Sequence, residues 1–162
     1  MTSIIKVDQI QTAAGGVPTA ADLGLNVAGN VVQVAYGTAS TQVINSTNTP
    51  VDTGLSVTIT PKFNNSMIIL LFNHSDSRVS AMGVDWDVRV MRNGTVISTH
   101  DKYFLWNDSN LHGNVSLQIF DQPNTTSAVT YSTQMWKSNG TGSVYAQADN
   151  QQSQVTALEI AQ

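Results

Sequence analysis

The stretch VDTGLSVTITPKFNNSMIILLF, Val51 to Phe72, holds two kinds of strand in succession. Leu55, Val57 and Ile59 alternate with Ser56, Thr58 and Thr60, the period-two pattern of a strand with one face buried. Met67 to Phe72 is an unbroken apolar run, too short for a typical helix, and it predicts a strand buried on both faces. Such a strand belongs at the centre of a sandwich or beneath an oligomer interface.

Strand signals continue on both sides. Upstream lie Val31 to Tyr36 and the short Gln42 to Ile44. Downstream, Val84 to Val90 alternates cleanly and places Trp86 with Val84, Val88 and Val90. Asn93-Gly94 follows, the strongest short hairpin signal because both turn residues need positive φ, and Val96 to Ser98 runs back. Lys102 to Trp106 is aromatic-rich, Val115 to Phe120 alternates, and Asp121 to Asn124 is a turn. Val129 to Met135, Val144 to Ala146 and Val155 to Ile160 complete the series. Roughly ten strands with frequent turn signals, and no long helical period, make the class all-β. The size and strand count predict an antiparallel two-sheet sandwich of jelly-roll type over residues 30–162.

Residues 1–29 read differently. Ile4, Ile5 and Val7, continued by Ile10, form a short β-prone run, followed by the turn-like Ala13 to Pro18 and one potential helical turn from Thr19 to Leu23. This leader has too little apolar mass for a core of its own. It is either a free N-terminus or a short extended arm that docks on a neighbour, adding a strand to another chain's sheet through Ile4, Ile5, Val7 and Ile10. A short peptide on a β-head suggests an assembly or binding protein rather than an enzyme.

Composition narrows the function further. Only 11% of residues are charged, against about 25% in an average soluble protein, and Asn, Ser, Thr and Gln fill the polar positions. The net charge is −4 and the seven basic residues are scattered, which gives no electrostatic footprint for nucleic acid. With no cysteine, disulfides and thiolate metal sites are excluded. No apolar run approaches a membrane span, and the N-terminus lacks a signal-peptide pattern, so neither membrane insertion nor classical export is expected.

Chemistry-bearing motifs are sparse. His74, His100 and His112 have no zinc-ligand spacing and read as exposed residues at strand ends and in loops. Asp76, Asp85 and Asp87 are the best carboxylate group, and Asp85 and Asp87 share a strand face opposite Trp86; with loop carbonyls they could hold calcium, but solvation of an outer face is the commoner use, and no metal is assigned. No nucleophile elbow, P-loop or dinucleotide fingerprint is present, so no catalytic residue and no cofactor are expected. The aromatic-amide stretch KYFLWNDSNLHGN, from Lys102, has the equipment for sugar binding, with Tyr103, Trp106, Asn107 and Asp108 as the candidate ligand-binding residues. The same rings could instead fill a core or an interface.

The leader SIIKVDQIQTAAGGVPTAADLGLNVAG resembles N-termini of bacteriophage structural proteins, especially of phages infecting cyanobacteria and related marine bacteria. The remainder resembles phage fibre and knob domains with a jelly roll like that of complement C1q and tumour necrosis factor. Val51 to Phe72, RVMRNGT (Arg89 to Thr95), the Asp121-Gln122-Pro123 turn, SAVTYSTQM (Ser127 to Met135) and VTALEIAQ (Val155 to Gln162) carry that likeness. It implies a virion location, a homotrimer, and partners among tail, baseplate or capsid proteins. Apolar strands that need a second dry surface then suggest Ile68, Leu70, Phe72, Tyr131 and Leu158 as the trimer interface, unless they line one chain's core. The expected function is a trimeric virion fibre or knob that displays its head for attachment to host-surface polysaccharide. A capsid decoration or head-fibre protein that reinforces the shell is the alternative, as is a free carbohydrate-binding module.

Overall fold

The computed structural model describes residues 14–17, 28–101 and 111–162. Its strands are β1 (Val31–Ala39), β2 (Val43–Asn45), β3 (Val51–Ile59), β4 (Met67–Val79), β5 (Trp86–Arg92), β6 (Thr95–His100), β7 (Leu111–Asp121), β8 (Val129–Lys137), β9 (Val144–Ala146) and β10 (Ser153–Ile160). No α-helix occurs among the described residues; one 3-10 turn, Ala148–Asn150, precedes β10. The strands form two antiparallel sheets. The larger runs β1-β10-β4-β9-β2, with β7 on the other side of β4, and the smaller runs β3-β8-β5-β6. Since β3, β5, β6 and β8 lie in one sheet while β4, β7 and β10 lie in the other, the chain crosses repeatedly between layers. This wiring is the jelly-roll sandwich the strand pattern predicts.

The period-two alternation decides which residues meet. Leu55, Val57 and Ile59 of β3, Trp86, Val88 and Val90 of β5, and Val129, Tyr131 and Met135 of β8 face Ile68, Leu70 and Phe72 of β4 in one core. Val115, Leu117 and Ile119 of β7 join from the larger sheet. Each such apolar side chain contributes about 1.5–3 kcal/mol on burial. Two sets of buried polar groups pair within the core: Trp86 donates from Nε1 to the Tyr145 carbonyl at 3.0 Å, and Thr53 and Thr133 pair their hydroxyls at 2.6 Å.

Two carboxylates pin the sandwich. Glu159 on β10 is fully buried. Its Oε1 accepts the Lys62 and Phe63 backbone N–H groups at 2.7 and 3.2 Å and the Ser66 hydroxyl at 2.6 Å, and its Oε2 accepts the Gln33 amide at 2.5 Å. Burial pushes its pKa up, but these hydrogen bonds outweigh burial and hold it below the usual carboxylate value. Asp121, at the end of β7, accepts the Tyr131 hydroxyl at 2.6 Å and two bonds from Arg92 at 2.9 and 3.0 Å, tying the larger sheet to the smaller.

Gly37 marks a close approach of β1 to β3. A Cβ there would lie 1.9 Å from the Ser56 carbonyl oxygen, which is backbone and has no rotamer in which to retreat. Gly37→Ala is expected to destabilise the fold by about 2–3 kcal/mol, read as a lowered urea midpoint.

Three sequence expectations need correction. Met67 to Phe72 is not buried on both faces: Ile68, Leu70 and Phe72 are, whereas Leu71 is exposed and Met67 and Ile69 are half-buried. Asp85 and Asp87 do not solvate an outer face, since both are buried. His74 is not an exposed histidine. It is buried in mid-strand, stacked on Phe72 with centroids 6.4 Å apart and edge-on to Trp86 at 5.8 Å. Neither of its ring nitrogens has a hydrogen-bond partner among the described residues, and burial lowers its pKa from 6.5 to about 4.

A pH dependence follows from His74. The unfolded chain takes up its proton below pH 6.5 and the folded chain only near pH 4. Stability from this group is therefore lost progressively between those values, by about 3 kcal/mol in all, and is constant outside them. His74→Met is expected to remove that part of the acid slope in urea midpoints measured from neutral pH down to pH 4.

Candidate functional site: the outer face of the larger sheet

The residues of β1, β10, β4 and β7 that point away from the core form ordered rows. Val34 pairs with Leu158, Leu158 with Ile69, and Ile69 with Phe120. The next row reads Tyr36, Thr156, Leu71, Gln118. On the other side Val31 pairs with Ile160 and Ile160 with Met67. Tyr36 is 81% exposed, Phe120 60%, Val34 57% and Leu71 41%, unusually high for large apolar side chains mid-strand. None of these rows contains a carboxylate, ammonium or guanidinium. A charge-free apolar surface with aromatic residues is the composition of an interface core rather than of a solvated face.

The character changes along the strands. Beyond Leu71 come Asn73, Ser116 and Gln154, with the Ser116 hydroxyl donating to Asn73 Oδ1 at 3.3 Å. Farther on, the β4–β7 register shifts between His74 and Ser77, a bulge that gathers Asp76, His112 and Asn114. His112 and Tyr145 flank Arg78 in the last row, and the Arg78 guanidinium sits 4.0 Å above the Tyr145 ring. The face is thus apolar at one end and polar at the other.

The smaller sheet presents a different exterior. Asp52, Gln134 and Arg89 form a hydrogen-bonded ladder: the Gln134 amide donates to Asp52 at 2.7 Å, and Arg89 Nε donates to Gln134 Oε1 at 2.8 Å. The Arg89 guanidinium lies 6.0 Å from the Trp136 ring. Thr58 and Thr130 add a hydroxyl pair. This exterior is polar and internally satisfied, so the two faces of the sandwich are unlike.

The structure sorts the predicted site residues. Ile68, Leu70, Phe72 and Tyr131 are buried inside the single chain and offer no surface to a partner, which corrects their assignment to an interface. Leu158 is half-buried and lies in the apolar rows of the outer face. Tyr103, Trp106, Asn107 and Asp108 fall outside the described residues, as do Ile4, Ile5, Val7 and Ile10. Sequence reasoning missed Val34, Tyr36, Ile69, Leu71 and Phe120. A signal for Phe120 was available, because it continues the polar parity of Ser116 and Gln118 rather than the apolar parity of Leu117 and Ile119.

No protein-family model matches this chain, and no curated protein is similar to it in sequence. Among solved structures it is similar to the VP2 subviral particle of infectious bursal disease virus, at 15% identity and TM-score 0.49 over 80% of this chain and 33% of that one. It is also similar to the Eiger TNF of S. frugiperda, at 11% identity and TM-score 0.39 over 82% of this chain and 94% of that one. A third is the insecticidal delta-endotoxin Cry8Ea1 of Bacillus thuringiensis, at 14% identity and TM-score 0.42, covering 74% and 19% of the two chains. This chain spans about a third of the length of the VP2 protein it matches. The fold assignment rests on the strand order itself. What the fold and the outer face define is an antiparallel jelly-roll sandwich whose larger sheet carries an apolar, uncharged patch at one end of its exterior.

Proposed function

We propose that this protein is a structural component of a virion, built as a homotrimeric fibre or knob head that carries no catalysis and needs no cofactor. The observation that supports this reading most is the uncharged apolar end of the larger sheet's outer face, centred on Ile69, Leu71, Phe120, Val34 and Leu158. A soluble single sandwich gains nothing by exposing it, whereas copies around a threefold axis bury it together. The polar exterior of the smaller sheet then faces solvent. Residues 1–29 act as the arm that joins the head to a tail, baseplate or capsid protein, and the head attaches to host-surface polysaccharide. Many copies on one particle convert weak single contacts into avid ones.

The test is incorporation. Virus particles purified from cells expressing the full chain are expected to carry it, and deletion of residues 1–29 is expected to leave a folded head that stays in the supernatant. Mass spectrometry of gradient-purified particles reads both results. Normal incorporation of the truncated head would remove the anchoring role. Absence of the full chain from particles would remove the virion reading and leave a free binding module.

A further inference from the structure

We infer that the bulge between β4 and β7 is a binding site for a neutral saccharide, recognised through a vicinal pair of pyranose hydroxyls. The inference rests on the attachment role proposed above for its biological use, and on local geometry for its chemistry.

The bulge sets Asp76 at φ +45°, a left-handed conformation that is uncommon for a residue with a Cβ and costs energy within a strand. Asn114 Oδ1 fixes it by accepting the Asp76 backbone N–H at 3.2 Å. The Asp76 carboxylate is in turn held by His112 Nδ1 at 2.5 Å. Ser75 is anchored through its N–H to the Ser153 hydroxyl at 3.0 Å. Bulges recur where a strand must re-aim a side chain, and this one re-aims a carboxylate into an open pocket of about 450 Å³.

Ser75, Asp76, His112, Gly113, Asn114 and Gln151 line that pocket. Its supporting bonds leave a specific set of groups with no hydrogen bond among the described residues: Asp76 Oδ2, His112 Nε2, Asn114 Nδ2, the Ser75 hydroxyl and the Gln151 side-chain amide. Carboxylate and amide side by side match a diol, because each hydroxyl both donates and accepts. With Nδ1 turned to Asp76, His112 offers Nε2 as an acceptor when the ring is neutral.

Other ligand classes fit less well. No group of three His, Cys, Asp or Glu side chains suited to a metal occurs among the described residues. A phosphate or carboxylate ligand would meet the Asp76 charge. An apolar ligand would find no apolar side chain among the described residues that line the pocket. The pocket also lies about 15 Å along β4 from Leu71, at the polar end of the face, so copies joined through the apolar end keep it at their rim.

Titration of the ¹⁵N-labelled full chain with methyl α-mannoside, methyl β-galactoside and methyl β-glucoside tests the inference. At least one is expected to move the Gly113, Asn114 and Gln151 amide resonances with a dissociation constant of about 1–10 mM. Asn114→Ala and His112→Phe are each expected to weaken that binding about tenfold or more in a protein of unchanged mass and fold. Titration with no movement of those amides overturns the inference, as does binding that both variants leave intact. Light scattering on the same samples separates this from assembly. A monomer that binds keeps the pocket and loses the trimer; a trimer that ignores all three glycosides keeps the trimer and loses the pocket.

Discussion

Glu159→Ala is expected to cost about 3–5 kcal/mol of folding stability, the largest single loss on this chain outside the apolar core. The side chain is buried and is the shared acceptor for the Lys62 and Phe63 N–H groups, the Ser66 hydroxyl and the Gln33 amide. Removing it strands four donors at once, two of them backbone groups in the link from β3 to β4. Those donors tie β1, β10 and that link together, so the loss is expected to appear as one cooperative shift in the urea midpoint. Glu159→Gln keeps the shape and part of the acceptor capacity and should cost distinctly less. The pH dependence has a definite sign. Because the folded pKa is below the unfolded value of 4.5, the contribution is complete above that value and is lost as pH falls through the folded pKa. Acid therefore weakens the fold in two successive windows, first through His74 and then through Glu159. A Glu159→Ala variant as stable as the parent at neutral pH would show that the four donors find water instead.

Leu71→Glu combined with Phe120→Glu is expected to convert the proposed trimer to monomer while leaving the sandwich folded. Both side chains stand on the outer face, in adjacent rows of the apolar patch, and neither contributes to the core. Truncating central apolar anchors typically costs 2 kcal/mol or more each, and burying two carboxylates against a like face costs more. The association constant should fall by at least about 10³-fold, with a change in monomer stability within about 1 kcal/mol. Ile68→Glu makes the contrast. Ile68 lies three positions before Leu71 on the same strand but is fully buried, so this variant is expected to unfold rather than dissociate. Sedimentation velocity and circular dichroism on the three proteins read both quantities.

That contrast also locates what the sequence could and could not say. Alternation in Leu55 to Thr60 and Val84 to Val90, together with Asn93-Gly94, was enough for strands, hairpin and sandwich, because period two is a local property. The run Met67 to Phe72 carried no alternation at all. Its parity, and therefore which three residues face the core, is set only by pairing with β10 and β7. Choosing even positions as the interface picked the buried set; the odd positions point outward, with Leu71 exposed and Met67 and Ile69 half-buried. His74 defeated a reading by residue type, since an imidazole between Phe72 and Trp86 behaves as an aromatic filler. The bulge pocket was illegible for a related reason. Asp76 and His112 are 36 residues apart and meet only because the β4–β7 ladder slips at His74. Asp121 is a similar case. It looked like the first residue of a turn, and its role in holding Tyr131 and Arg92 depends on how the two sheets close.

The proposed role turns on whether the apolar outer face is covered by further copies of the chain. Absolute mass by light scattering coupled to size exclusion measures that directly. A single species at about three times 17.4 kDa, independent of dilution through the micromolar range, is the predicted result. A clean species at 17.4 kDa, with the sandwich intact by circular dichroism, would contradict it and leave the face of Ile69, Leu71 and Phe120 to a different partner.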